Sequence, residues 1–117
     1  MAKLLIVEDE KNLRTLYKNE FKGEGYEVFL AKEGEEAIKI AEKETPDLII
    51  MDIRMPQMDG IEVMKKILEK NKDLPIIINS AYSSYMDNFM SWAAKAYVIK
   101  SSDLSELKSK VKEYISV

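Results

Sequence analysis

Five short apolar runs alternate with longer amphipathic stretches, and this alternation constrains the fold more than any other feature of the chain. The runs occupy residues 4–7, 48–51, 76–78 and 97–99, with 26–30, which Glu27 interrupts, as a further strand candidate. Runs apolar at successive positions read as strands buried on both faces, as in a parallel sheet; a half-exposed strand would alternate with period two. The stretches between them follow a helical period. Leu13, Leu16, Tyr17 and Phe21 mark a helix over 12–22, and Ala37, Ile38 and Ala41 mark one over 34–43. Ile61, Met64, Ile67 and Leu68 mark one over 61–70. A weaker helical pattern spans 85–94, and Leu104, Leu107, Val111 and Ile115 mark the last helix over 104–115. Asp59 is placed to cap the third helix, and Asp103 with Glu106 three residues on predicts a capping box before the fifth. Successive strand–helix units predict an α/β domain, a doubly wound parallel sheet with helices on both faces.

The 117 residues fit one domain with its own core, without linker, repeat or low-complexity segment. There is no cysteine, which excludes disulfides, zinc–thiolate sites and thiol catalysis. There is no histidine, which removes the commonest general base and transition-metal ligand. A metal site must then be built from oxygens, and oxygens favour magnesium or calcium. With 18 basic and 21 acidic residues the formal charge is −3. Such a balance, without a dense basic stripe, argues against direct nucleic-acid binding. No apolar run approaches a membrane span. Met1-Ala2-Lys3 leads straight into the first strand, so no signal peptide is expected and the expected location is the cytoplasm. The preponderance of Lys and Glu fits a thermophilic source or simply solvated helix faces.

The ionisable residues fall at one end of the strands. Glu8 and Asp9 follow the first, Asp52 the third, Ser80 the fourth and Lys100 the fifth. Open α/β sheets bind ligands outside the carboxyl ends of their strands, where strand order reverses. For the order 2-1-3-4-5 that place lies beside Asp9 and Asp52. Clustered carboxylates repel one another, and a divalent cation relieves the repulsion. Magnesium takes one or two carboxylates and keeps waters, leaving room for phosphate oxygens. Lys100 would add a mobile cation and Ser80 a hydroxyl donor, together a clamp for a transferring phosphoryl group. Asp52 is left to attack, because an ionised carboxylate needs no general base. Taken singly, each residue has an ordinary reading: Asp52 a turn or cap residue, Glu8-Asp9 a helix N-terminal charge pair, Lys100 a solvated lysine. The pattern at successive strand ends gives them weight.

The stretches Leu5-Ile6-Val7-Glu8-Asp9-Glu10, Asp47 through Gly60, Ser80-Ala81 and Tyr97-Val98-Ile99-Lys100 resemble a bacterial two-component response-regulator receiver domain. The likeness runs over the whole chain, and its most specific part is Asp52 to Gly60. It implies the flavodoxin-like receiver fold with strand order 2-1-3-4-5 and a receiver over 1–117 with no output domain. Asp52 would accept phosphate from a sensor histidine kinase, a histidine phosphotransfer protein or a small donor such as acetyl phosphate. Asp9, Asp52 and the backbone carbonyl of Arg54 would hold Mg2+, with Mn2+ a possible substitute, and Glu8 would act through a water. Lys100 and Ser80 would bind phosphate oxygens, and Ser80 and Tyr97 would form the switch. Leu13 and Leu16 on the first helix would meet the kinase; core packing is the alternative for both. Trp92 and Met90 lie near the expected switch face, as recognition residues or ordinary core.

Three residues depart from the family pattern. Glu8 stands for an aspartate. Ser101 follows Lys100 where proline is usual, which predicts a trans bond or a strained cis one. Ala93 replaces a usual glycine, so the turn before the fifth strand is expected to differ. Arg54 and Tyr82, both large, are expected to hinder water and slow phosphate loss. The implied function is a single-domain response regulator, or a phosphorelay intermediate or sink, with no enzymatic turnover beyond Mg2+-dependent self-phosphorylation and autodephosphorylation. Two rivals share the fold logic. An aspartyl-phosphate phosphatase or mutase would need a second acid near the nucleophile and a cap domain, but residue 54 is arginine. A flavin carrier would need a phosphate-cradling loop where Glu8-Asp9-Glu10 stands, and absorbance would reveal it.

Overall fold

A computed structural model describes the backbone of residues 1–55, 58–91 and 93–115 and, within these, all side chains except those at 54, 55, 58 and 89–91. Strand β1 (Lys3–Val7) leads to helix α1 (Lys11–Gly23), β2 (Glu27–Ala31) to α2 (Gly34–Glu44), and β3 (Leu48–Met51) to a two-residue antiparallel ladder, β4 (Arg54–Met55) with β5 (Met58–Asp59). Then follow α3 (Gly60–Lys70), β6 (Ile76–Ser80), α4 (Met86–Ser91), β7 (Ala96–Ile99) and α5 (Ser105–Ile115). The main sheet is parallel in every pairing, in the order β2-β1-β3-β6-β7. Without the small ladder this is the expected order 2-1-3-4-5.

The apolar runs form this sheet because each strand's alternate residues enter a different core. Leu4, Ile6, Leu48, Ile50, Ile77, Ala96 and Val98 pack with Tyr17 and Phe21 of α1 and Leu107 and Val111 of α5. Leu5, Val7, Ile49, Met51, Ile76 and Ile78 pack with Ala37 of α2 and Val63, Met64 and Ile67 of α3. Both faces are covered, so polar residues stand only at the ends of the strands, as Lys3, Glu27, Asn79 and Ser80 do.

Chain reversals follow local rules. After α1, Gly25 adopts φ +97 while Gly25 N–H and Tyr26 N–H bond back to the Lys22 and Phe21 carbonyls, the paired bonds of a Schellman ending. Asp59 caps α3 as expected, accepting the Ile61 N–H at 2.9 Å. The capping box before α5 does not form. Asp103 accepts the Ser105 N–H and hydroxyl, two residues on, and its own N–H donates to Ser101 Oγ at 3.0 Å rather than to Glu106. The helix therefore starts at Ser105, later than the box requires. Helix α4 is shorter than the expected 85–94: its described turns are Met86–Ser91, and Ala93 has already left the helix at φ 83. The turn before β7 thus takes a left-handed residue without a glycine, at a conformational cost of about 1 kcal/mol or more.

Candidate functional site

The site forms where β1, β3, β6 and β7 end together. Backbone bonds carry the sheet one step further: Glu8 N–H donates to Ala31 O at 3.0 Å, Asp52 N–H to Val7 O at 2.9 Å, and Lys100 N–H to Ser80 O at 2.7 Å. These bonds fix where the side chains begin. Glu8 and Asp52 are buried, at 2% and 6% exposure, whereas Asp9 is exposed. One carboxylate oxygen from each of Glu8, Asp9 and Asp52 lies within 4.8 Å of the others. The Lys100 ammonium bridges two of them, 2.8 Å from Glu8 Oε1 and 2.9 Å from Asp52 Oδ2.

The charges here are unequal partners. Burial pushes the Glu8 carboxyl above its usual range; Lys100 and the Glu10 N–H pull it back, and the Asp52 charge adds to the rise. Burial alone would lower Lys100, but its bonds to Glu8 and Asp52 overcome this and hold it above the ordinary lysine value. The asymmetry has a plain cause: the ammonium has two carboxylates, while Glu8 shares one cation with a competitor. A pocket of three carboxylates and one lysine suits a hard divalent cation with open positions, because only oxygen donors are offered. The same set suits a doubly charged phosphoryl group once a cation offsets the acids.

The other expected site residues divide. Ser80 is fully buried at the same sheet end, and its Oγ accepts the Tyr82 N–H at 3.0 Å. The half-buried Tyr97 donates its phenolic hydrogen to the Tyr82 carbonyl. Ser80 and Tyr97 therefore meet through the backbone of Tyr82. Leu16 is exposed at 43%, but Leu13 is half-buried against the α1–α5 core. Tyr82 stands at the surface with its ring edge-on to Tyr85, centroids 6.3 Å apart. The Arg54 backbone lies in β4, but its side chain, the Met90 side chain and all of Trp92 fall outside the described residues. Among the described residues there is no cis peptide, so Lys100–Ser101 is trans, and Lys100 still reaches Asp52.

Two contributors escaped the reading of the sequence. Arg14 donates from Nη1 to the carbonyls of Glu8 and Asp9, at 3.0 and 2.8 Å, tying α1 to the acidic turn. No motif marks an arginine that binds main-chain oxygens. Asn79 is 3% exposed and donates through Nδ2 to the Tyr17 hydroxyl at 3.0 Å. Its signal was present, a polar residue ending the 76–78 run, but it reads like any strand end.

The family model described as the response regulator receiver domain matches residues 4–112. Among curated proteins, the chain is 35% identical to sporulation initiation phosphotransferase F of Bacillus subtilis, over 97% of this chain and 93% of that one. It is 37% identical to the alkaline phosphatase synthesis transcriptional regulatory protein PhoP of the same organism, over 94% of this chain but only 47% of that regulator. Among solved structures, the response regulator TrrA of Thermotoga maritima, in complex with Mg(2+)-BeF, superposes with a TM-score of 0.92 at 47% identity, covering 97% of this chain and 99% of that one. TrrA in complex with the histidine kinase ThkA gives a TM-score of 0.90, also at 47% identity, with 98% and 99% covered. The acidic pocket, the sheet order and these likenesses agree, and the chain belongs to the response regulator receiver domain family.

Proposed function

We propose that the chain is a single-domain response regulator of the cytoplasm whose Asp52 accepts a phosphoryl group from the phosphohistidine of a sensor kinase or phosphotransfer protein. The observation that carries this is the Lys100 ammonium held between Glu8 and Asp52 inside the acidic trio. An Asp52 oxygen attacks phosphorus as the P–N bond breaks, and the departing imidazole takes up a proton. Asp9, Asp52 and the Arg54 carbonyl would hold Mg2+, with Glu8 acting through a water, and Mn2+ could stand in. Bound there, Mg2+ supplies positive charge beside the transferring oxygens. Lys100 moves from carboxylate to phosphate oxygen, a short shift for a flexible stem.

Ser80 is the second phosphate ligand and half of the switch. Drawing its hydroxyl to the phosphate releases the Tyr82 N–H, and the loop that also holds Tyr97 repacks. The face around α4, β7 and α5 then reports the change to an effector protein. The exposed Leu16 supplies an apolar contact for a kinase on α1, while Leu13 is largely committed to the core. The chain's own chemistry is confined to self-phosphorylation and autodephosphorylation. Support for the single-domain reading comes from the relatives matched over nearly their whole length, TrrA and the sporulation phosphotransferase. The latter's name equally suits a phosphorelay intermediate using the same site.

The test is incubation with acetyl phosphate and Mg2+, read by intact mass. The wild type gains one phosphoryl group, and EDTA or Asp52→Ala abolishes the gain. An adduct at wild-type level in Asp52→Ala would overturn the assignment. Transfer from a panel of phosphorylated kinases and phosphotransfer proteins then separates relay from end-point regulator.

A further inference from the structure

The two-residue period of the strands places four polar side chains at the strand ends on one face of the sheet. On the α1–α5 face, Leu4 and Ile6 of β1 are followed two residues on by Glu8, Leu48 and Ile50 of β3 by Asp52, Ile77 of β6 by Asn79, and Ala96 and Val98 of β7 by Lys100. Three of the four are the ion-paired groups of the site. Asn79 is the fourth, level with Asp52 and two residues short of Lys100, on the strand between β3 and β7, so Lys100 reaches across the end of that strand to meet Asp52 at 2.9 Å. Its amide is fixed from α1 by the Tyr17 hydroxyl, itself 2% exposed. The Tyr17 phenol also lies within the field of Lys100, Glu8 and Asp52. A buried polar pair adds little stability over apolar groups of the same shape. An acid at 79 would instead add a third negative charge beside Glu8 and Asp52.

We propose that Asn79, held by Tyr17, is a positioning residue for the Lys100 ammonium, and that this buried pair sets the rate at which Asp52 takes the phosphoryl group. The inference rests on Asp52 being the phosphoacceptor. The amide gives Lys100 a neutral polar floor that neither competes for the ammonium, as a carboxylate would, nor strips its stem end of polar surroundings, as a leucine would.

The test measures the rate of adduct formation from acetyl phosphate and Mg2+, together with thermal stability, for wild type, Tyr17→Phe, Asn79→Leu and the double variant. The same Asn79→Leu change is also made in a Lys100→Ala background. Each single variant is expected to slow the reaction on the order of tenfold, the scale of a small misplacement of a reacting group. The double variant is expected to be no slower than the slower single and at least as stable as either, since they act as a unit. In the Lys100→Ala background, Asn79→Leu is expected to change nothing. Wild-type rates in both single variants, or an equal slowing by Asn79→Leu with and without Lys100, would overturn the inference while leaving the phosphoacceptor in place. If Asn79→Leu fails to fold, Tyr17→Phe decides alone, and an unchanged rate sinks the idea. A wild type that takes no phosphoryl group at all overturns the functional reading and this inference with it.

Discussion

The two faces of the sheet end in different chemistry. Toward α1 and α5 the apolar rows end in Glu8, Asp52, Asn79 and Lys100, buried or nearly so and bonded to one another or to Tyr17. Toward α2 and α3 the neighbouring positions are Asp9, exposed, Ile53, at 9% exposure, and Ser80, fully buried with its hydroxyl on one backbone N–H. Tyr97 packs on that second face. Breaking a buried ion pair by removing one partner costs about 3–5 kcal/mol, whereas a neutral hydrogen bond contributes about 1 kcal/mol. By these magnitudes, uncompensated loss of a partner costs more on the first face than on the second. Paired charges and a singly bonded hydroxyl sit side by side because alternate residues of a strand point to opposite faces.

The comparison can be broken most directly at Lys100 and Ser80. Lys100→Ala should slow adduct formation about 100-fold or more, the scale of losing one charge-stabilising donor, while Ser80→Ala should slow it far less and abolish the conformational response. Intact-mass kinetics and the NMR shift change on phosphorylation check both, and equal losses in rate would end the distinction between the faces. Next in size is the metal. At a hundredfold excess over its dissociation constant, Mg2+ should stabilise the fold by about 2.7 kcal/mol in denaturant titrations. Asp52→Ala should remove most of that gain and Ser80→Ala should keep it.

A smaller effect lies beyond both faces. Ala93→Gly should raise stability by about 1 kcal/mol, because φ 83 suits glycine and strains alanine. The adduct rate should not change; a fall would tie this turn to the chemistry. Smallest is the cap of α5. Its hydrogen bonds from Ser105 hold the Asp103 carboxyl below its usual range. A depressed carboxyl stabilises the fold above its unfolded value, and the contribution fades as the pH falls through the folded value. Asp103→Ala should therefore lower the melting temperature slightly at pH 7, with the gap to wild type closing in acid. A gap unchanged down to pH 2 would assign the loss to helix propensity instead.

Much of this architecture was legible because the apolar runs at 4–7, 48–51 and 97–99 are uninterrupted and end in ionisable residues. Glu8, Asp9, Asp52 and Lys100 could be grouped from their places after successive strands, and the structure brings their charged ends together. What stayed hidden depends on geometry at a finer scale than periodicity. The start of α5 turned on which acceptor lay nearest the Asp103 N–H, and Ser101 Oγ won over Glu106. Leu13 and Leu16 carry the same hydropathy, and only the helix's rotation against α5 separates core from surface. Ala93 takes a left-handed conformation that favours glycine, so the turn bears the strain of a side chain there.

Arg14 places one guanidinium on the carbonyls of Glu8 and Asp9, so the start of α1 and the acidic turn form a single mechanical unit. Linkage then works in both directions. A protein that grips α1 and changes the affinity of the turn for a cation by some factor must find its own affinity changed by the same factor when that cation is present. For any such protein, binding to α1 and cation binding at the turn would be two readings of one equilibrium, coupled through an arginine bonded to main-chain carbonyls.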